Sequence, residues 1–145
     1  MEKNTISKVL VILGGILQLI YLLANAFFGF ILFILLLLGA IFTPGDPLLT
    51  LAAMTTVSML ISAFLGFILM ILWFVWASNP STRRKVLIVT GILGILLGGI
   101  IPALLAYSTF GTTWPSTWLT LIITSFLPGF LVLIGGLIAS KPLEA

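Results

Sequence analysis

Gln18, Tyr21 and Asn25 stand three and four residues apart inside an otherwise apolar stretch, a spacing that puts all three on one face of a helix. Two amides with a phenol between them supply donors and acceptors on one line. They suit a buried polar ligand such as a quinone headgroup or a lipid. A buried amide more often bonds across to a neighbouring helix, here to Ser58, Ser62, Thr90 or Thr124, a contact worth about 0.6–2 kcal/mol in a bilayer. A second group is "NPSTRRK" (79–85), which holds Arg83, Arg84 and Lys85, three of the six basic residues of the chain. Adjacent cations of this kind attract anionic lipid headgroups or fix the orientation of a membrane chain.

The inventory excludes most catalysis. His and Cys are absent, and no Asp, Glu, Lys or Arg falls within the long apolar segments. General acid–base chemistry has no carrier there. Zinc, haem and iron–sulfur centres have no ligand set, and no phosphate-binding glycine loop is present. Glu2, Asp46 and Glu144 are the three acids, too far apart along the chain to presume a pair. The sequence therefore predicts no enzyme and no cofactor or metal. Ion-coupled transport loses its usual intramembrane ionisable residue in the same way.

The charges say where the elements lie. No charged residue occurs in the 37 positions between Lys8 and Asp46, the 36 between Asp46 and Arg83, or the 55 between Lys85 and Lys141. Each gap exceeds the ~20 residues a helix needs to cross a bilayer. Hydrophobic residues make up 61% of the 145 and charged residues 6%, which no soluble fold of this size could bury. "TPGDP" (43–47), "SNPSTRRK" (78–85) and "STFGTTWPST" (108–117) punctuate the apolar run, as turn chemistry does. The sequence predicts an all-α integral membrane protein of one domain, residues 1–145. It would be a four-transmembrane-helix bundle of two helical hairpins, with spans near 8–42, 48–77, 86–107 and 116–140. Strands are disfavoured because "FILFILLLL" (30–38) does not alternate.

Orientation follows from the same residues. With four spans, Lys3, Lys8, Arg83, Arg84, Lys85 and Lys141 share one side and Asp46 takes the other. Short cytoplasmic loops carry the excess of Lys and Arg, so both termini and the 79–85 loop are expected in the cytoplasm, at the cell membrane. Trp73 and Trp76 on the inner edge, and Tyr107, Trp114 and Trp118 on the outer one, fit interfacial belts. The formal net charge is +3, but because the bases lie beside spans it points to membrane lipid and not to nucleic acid. The start imitates a secretory signal, with Val9–Leu23 apolar and Ala24-Asn25-Ala26 of small-x-small form. The apolar run continues through Phe42, so an uncleaved first span is expected. At about 50 Å that span outruns a core of about 30 Å, and it should either project or bend near Asn25 and Gly29.

Each span carries a stripe of small or polar residues at helical spacing. They are Gly14, Gln18, Tyr21, Asn25 and Gly29; Thr55, Ser58, Ser62 and Gly66; Gly91, Gly94 and Gly98, leading into Pro102; and Thr120, Thr124 and Pro128, with Gly135 and Ala139 further on. Such stripes let helix backbones approach closely where lipid gives apolar side chains no reason to associate. Pro102 and Pro128 should kink the last two spans and free the carbonyls of Gly98 and Thr124. A faint repeat relates "KVLVILG" (8–14) to "KVLIVTG" (85–91), "GF" at 66–67 to 129–130, and "ASNP" (77–80) to "ASKP" (139–142), consistent with paired hairpins. The cysteine signatures of tetraspanins and claudins and the intramembrane Glu of small multidrug transporters are absent, so no family function is carried over. The reading that remains is a non-catalytic accessory, structural or assembly subunit, in contact with other membrane subunits or with itself. The alternative is a small oligomeric channel or facilitator for neutral solutes, or a lipid- or quinone-binding protein.

Overall fold

The computed structural model of the chain describes residues 2–101, 104 and 125–140. These form four α-helices and no strand: α1 (Glu2–Phe42), α2 (Pro47–Trp76), α3 (Arg84–Ile95) and α4 (Leu127–Ile138), with a π-helical turn at Leu96–Ile100 extending α3. One of them, α1, is long and apolar enough to cross a membrane by itself, and Leu60–Trp76 and Leu127–Ile138 are shorter apolar helices. Pro102, Tyr107, Trp114, Trp118, Thr120, Thr124 and Lys141 lie outside the described residues.

Helix ends follow turn chemistry. α1 has no proline and runs through Asn25 and Gly29 without interruption over 41 residues, a length of about 60 Å. It stops where Thr43 returns its backbone N–H and its hydroxyl to Gly39 O, at 2.8 and 3.0 Å. Gly45 then turns the chain at φ 90°, a conformation other residues rarely adopt. Pro47 opens α2 at the position where its missing N–H costs nothing. Pro128 takes a similar place, in the first turn of α4. A turn at Ser125–Phe126 precedes the helix; residues 116–124, on which the expected kink of the fourth span depends, lie outside the described residues.

The helices pack antiparallel, α1 against α2 and α4, and α3 against α4, while contact between α2 and α3 is sparser. Glycines set the approach. A Cβ on Gly91 would stand 2.6 Å from Leu133 N, and one on Gly129 2.5 Å from Ile95 N, so α3 and α4 touch backbone to backbone. The core is Val11, Leu69, Trp73, Ala77, Leu87 and Val132, drawn from all four helices near the end that carries the 79–85 loop. Trp73 is fully buried there, with its indole N–H donating to Thr90 Oγ1 at 3.1 Å. It is therefore a core residue and not part of an interfacial belt. Gly94, against its ring, makes the room.

The sequence repeat has a counterpart in these contacts. Gly66 abuts Gln18 on α1, and Gly129 abuts Gly94 and Ile95 on α3; under the 8–14/85–91 match, Gln18 and Ile95 are equivalent. The symmetry fails at the outer pairings. Where α4 offers Gly135 to Val11 and Ser7 of α1, the equivalent position of α2 is Leu72. A leucine holds helices apart where a glycine lets them close.

Candidate functional site

Gln18 lies in the α1–α2 interface with 9% of its surface exposed. Its amide nitrogen fills the space that a Cβ on Gly66 would take. No hydrogen bond to that amide forms among the described residues. Tyr21 is half-buried and Asn25 is exposed. The structure therefore separates the three residues that spacing had aligned. Asn25 shares the face of Gln18, but α4 as described begins beside Gly14 and does not reach the level of Asn25. Periodicity gives the face; only a neighbour buries it.

The hydroxyls bond to carbonyls. Ser62 Oγ donates to Leu97 O at 2.7 Å, and Ser125 Oγ donates to Gly98 O. The two acceptors have a common origin. Ile101 N–H turns back to Leu96 O, five residues away, so it does not serve Leu97. The N–H that would reach Leu97 O in that π pattern, or Gly98 O in an α-helix, belongs to residue 102. Residue 102 is proline and has none. Whichever register the chain follows, one of these two carbonyls loses its backbone donor at Pro102, and Ser62 from α2 and Ser125 from the turn before α4 donate to the pair. Ser58 lies outside the residues whose side chains are described. Gly91 and Gly94 are buried, and Gly98 is half-buried, a Cβ there standing 2.9 Å from Ser125 O.

Three polar contacts were missed by the sequence reading. Ser7 is fully buried and donates to Gly135 O at 2.7 Å. Asn4 Oδ1 accepts from the N–H and the hydroxyl of Ser140 at 3.0 and 2.8 Å. Thr90, which receives Trp73, donates to Val86 O at 2.8 Å. Ser7 was findable: it lies seven residues before Gly14, two turns back along the same stripe.

The basic cluster divides into three environments. Arg84 donates to Gly136 O and Leu137 O at 3.3 and 3.4 Å, serving carbonyls at the C-terminal end of α4, where a cation also complements the helix dipole. Lys85 is exposed. Arg83 lines a cavity of about 240 Å³ together with Val75, Trp76, Ser78, Asn79 and Thr82. The contacts of Asn4 with Ser140 and of Arg84 with Leu137 bring Lys3, Lys8, Arg83, Arg84 and Lys85 to one end of the bundle, with Asp46 at the other. Among the described residues no three His, Cys, Asp or Glu side chains gather as a metal site would require.

No family model matches the chain, nor does any curated protein or solved structure. The functional reading accordingly rests on geometry.

Proposed function

We propose that the chain is a four-span integral membrane protein with its termini and the 79–85 loop in the cytoplasm, acting as a non-catalytic accessory or assembly subunit of a larger membrane complex. The observation that carries this reading is the length and dress of α1. From Val9 to Phe42 it has no charged residue, which at 1.5 Å per residue is about 51 Å of apolar helix. Fitting that into a hydrocarbon core of about 30 Å needs a tilt near 54°, beyond the 0–40° that helices adopt. The far end stays apolar on its outside: Leu35, Leu38, Ile41 and Phe42 are 57, 47, 70 and 77% exposed. Lipid alone leaves part of that surface facing water, and a protein partner covers it.

A photo-crosslinking side chain at Ile41 or Phe42 is expected to capture a protein in native membranes, while one at Ile20 captures lipid. Capture of lipid alone from all three positions, with the chain migrating by itself on native gels, sinks the accessory reading. One observation favours the second reading, a facilitator for small neutral solutes: the Gln18 side chain lies in the α1–α2 interface with no hydrogen bond among the described residues. Solute flux through liposomes containing only this chain, abolished by Gln18→Leu, would decide for it.

A further inference from the structure

Five of the six side chains around the cavity at the end of α2 carry a polar group, and none is a carboxylate. We propose that this cavity binds the phosphate of an anionic phospholipid, with Arg83 as its charge partner and one acyl chain lying along α2. The proposal rests on the membrane reading above.

Several of the cavity's acceptors are already occupied. Ser78 Oγ donates to Val75 O at 2.8 Å, and Asn79 N–H to Trp76 O at 3.1 Å, so two of the α2 C-terminal carbonyls that would repel an anion are capped. Ser81 Oγ donates to Asn79 Oδ1 at 3.1 Å, which holds the Asn79 amide and leaves its NH2 as a donor. The Arg83 guanidinium makes no ion pair or hydrogen bond among the described residues, unlike Arg84. Next to it α3 begins with no acidic residue in its first turn and no side-chain cap, so the positive end of that helix is uncompensated.

Size and surroundings fit the same ligand. About 240 Å³ is the liquid volume of roughly eight waters, enough for a phosphate and its glycerol. Val75 and Trp76 give the cavity an apolar wall. From it Val75, Ile71, Ile68 and Phe64, exposed at 61, 44, 40 and 64%, continue at steps of four, three and four down one face of α2. A free phosphate would use the guanidinium and ignore that track. A phospholipid uses both.

The full-length chain is mixed with vesicles of phosphatidylglycerol and phosphatidylcholine, re-extracted in mild detergent, and its retained lipid weighed by native mass spectrometry. Phosphatidylglycerol should be retained in preference. Arg83→Gln should lower that retention about fivefold, the worth of one juxtamembrane cation, and Arg83→Lys should keep most of it. Arg83 and Lys85 are both exposed, but only Arg83 lines the cavity, so Lys85→Gln, which removes the same charge, should lower retention clearly less than Arg83→Gln does. Equal losses from Arg83→Gln and Lys85→Gln, or no preference between the two lipids, overturn the site. Complete displacement of the lipid by inorganic phosphate would show a headgroup-only site and overturn the acyl track. Alkaline extraction of membranes holding the unaltered chain is read first. Release into the supernatant fells the membrane reading and the site together, whereas retention leaves any failure of lipid binding to count against the site alone.

Discussion

A proline leaves a debt of one N–H, and in this chain two serines from other elements meet it. Ser62 and Ser125 bond the carbonyls of Leu97 and Gly98, one of which residue 102 would otherwise serve. The arrangement makes a coupling prediction. Ser62→Ala should destabilise the protein by about 0.6–1.7 kcal/mol, the range of interhelical hydrogen bonds in a bilayer. In a Pro102→Ala background, where an N–H returns, most of that loss should vanish, and a double-mutant cycle of unfolding in bicelles measures the difference. Additive effects would mean that Ser62 does not substitute for the missing donor. Gln18 behaves in the opposite sense. Its amide makes no hydrogen bond among the described residues, where no side-chain nitrogen or oxygen is both fully buried and unpaired, so little polar interaction is lost on replacing it by an apolar side chain. Gln18→Leu should therefore hold or raise the unfolding midpoint. A fall of more than about 1 kcal/mol would show that the amide is satisfied. The freed carbonyl of Gly98 was legible, because proline's lack of a donor is covalent fact. Its partner was not, because a serine's place depends on which helix lies alongside. The exposure of Asn25 was hidden for the same reason.

At the scale of elements, the glycine stripe of α3 is a contact between backbones. A Cβ on Gly91 meets Leu133 N at 2.6 Å and Leu133 Cα at 2.8 Å, and neither is the movable end of a side chain. Gly91→Ala must push α3 from α4, at a cost of about 2 kcal/mol or more by comparison with overpacked cores. Gly29 makes the control, since no described residue lies within 4 Å of a Cβ there. Gly29→Ala should be neutral to favourable through helix propensity alone, by up to about 1 kcal/mol. Thermal unfolding of both variants in one detergent checks the contrast, and similar midpoints would refute it. Helix existence was readable from charge-free length and from punctuation at 43–47 and 78–85. The π-turn was not. It needs a local register shift over Leu96–Ile100 that no hydrophobic period records.

Over the whole molecule the dominant feature is a lopsided distribution of charge. Lys3, Lys8, Arg83, Arg84 and Lys85 gather at one end, and Asp46 marks the other. If orientation in the membrane is set by these cations, transferring Arg83, Arg84 and Lys85 into the 43–47 turn should disturb it. A cysteine-accessibility map of residues 4 and 45 reads the result. Unchanged labelling of both would break the link between charge and topology. The transfer also removes Arg84 from the carbonyls of Gly136 and Leu137. A variant that keeps Arg84 and moves only Arg83 and Lys85 separates orientation from the anchoring of α4.

The uneven spacing between helices has a mechanical consequence. Among the described residues glycine clasps α4 to α1 and to α3, but α2 meets α3 chiefly around one indole, whose N–H rests on Thr90, and one serine below it. A bundle zipped along three edges and latched along the fourth yields first at the latch. Sideways strain would swing α2 outward about its hairpin with α1 and open the space where Trp73 now stands, while the other three helices kept their places.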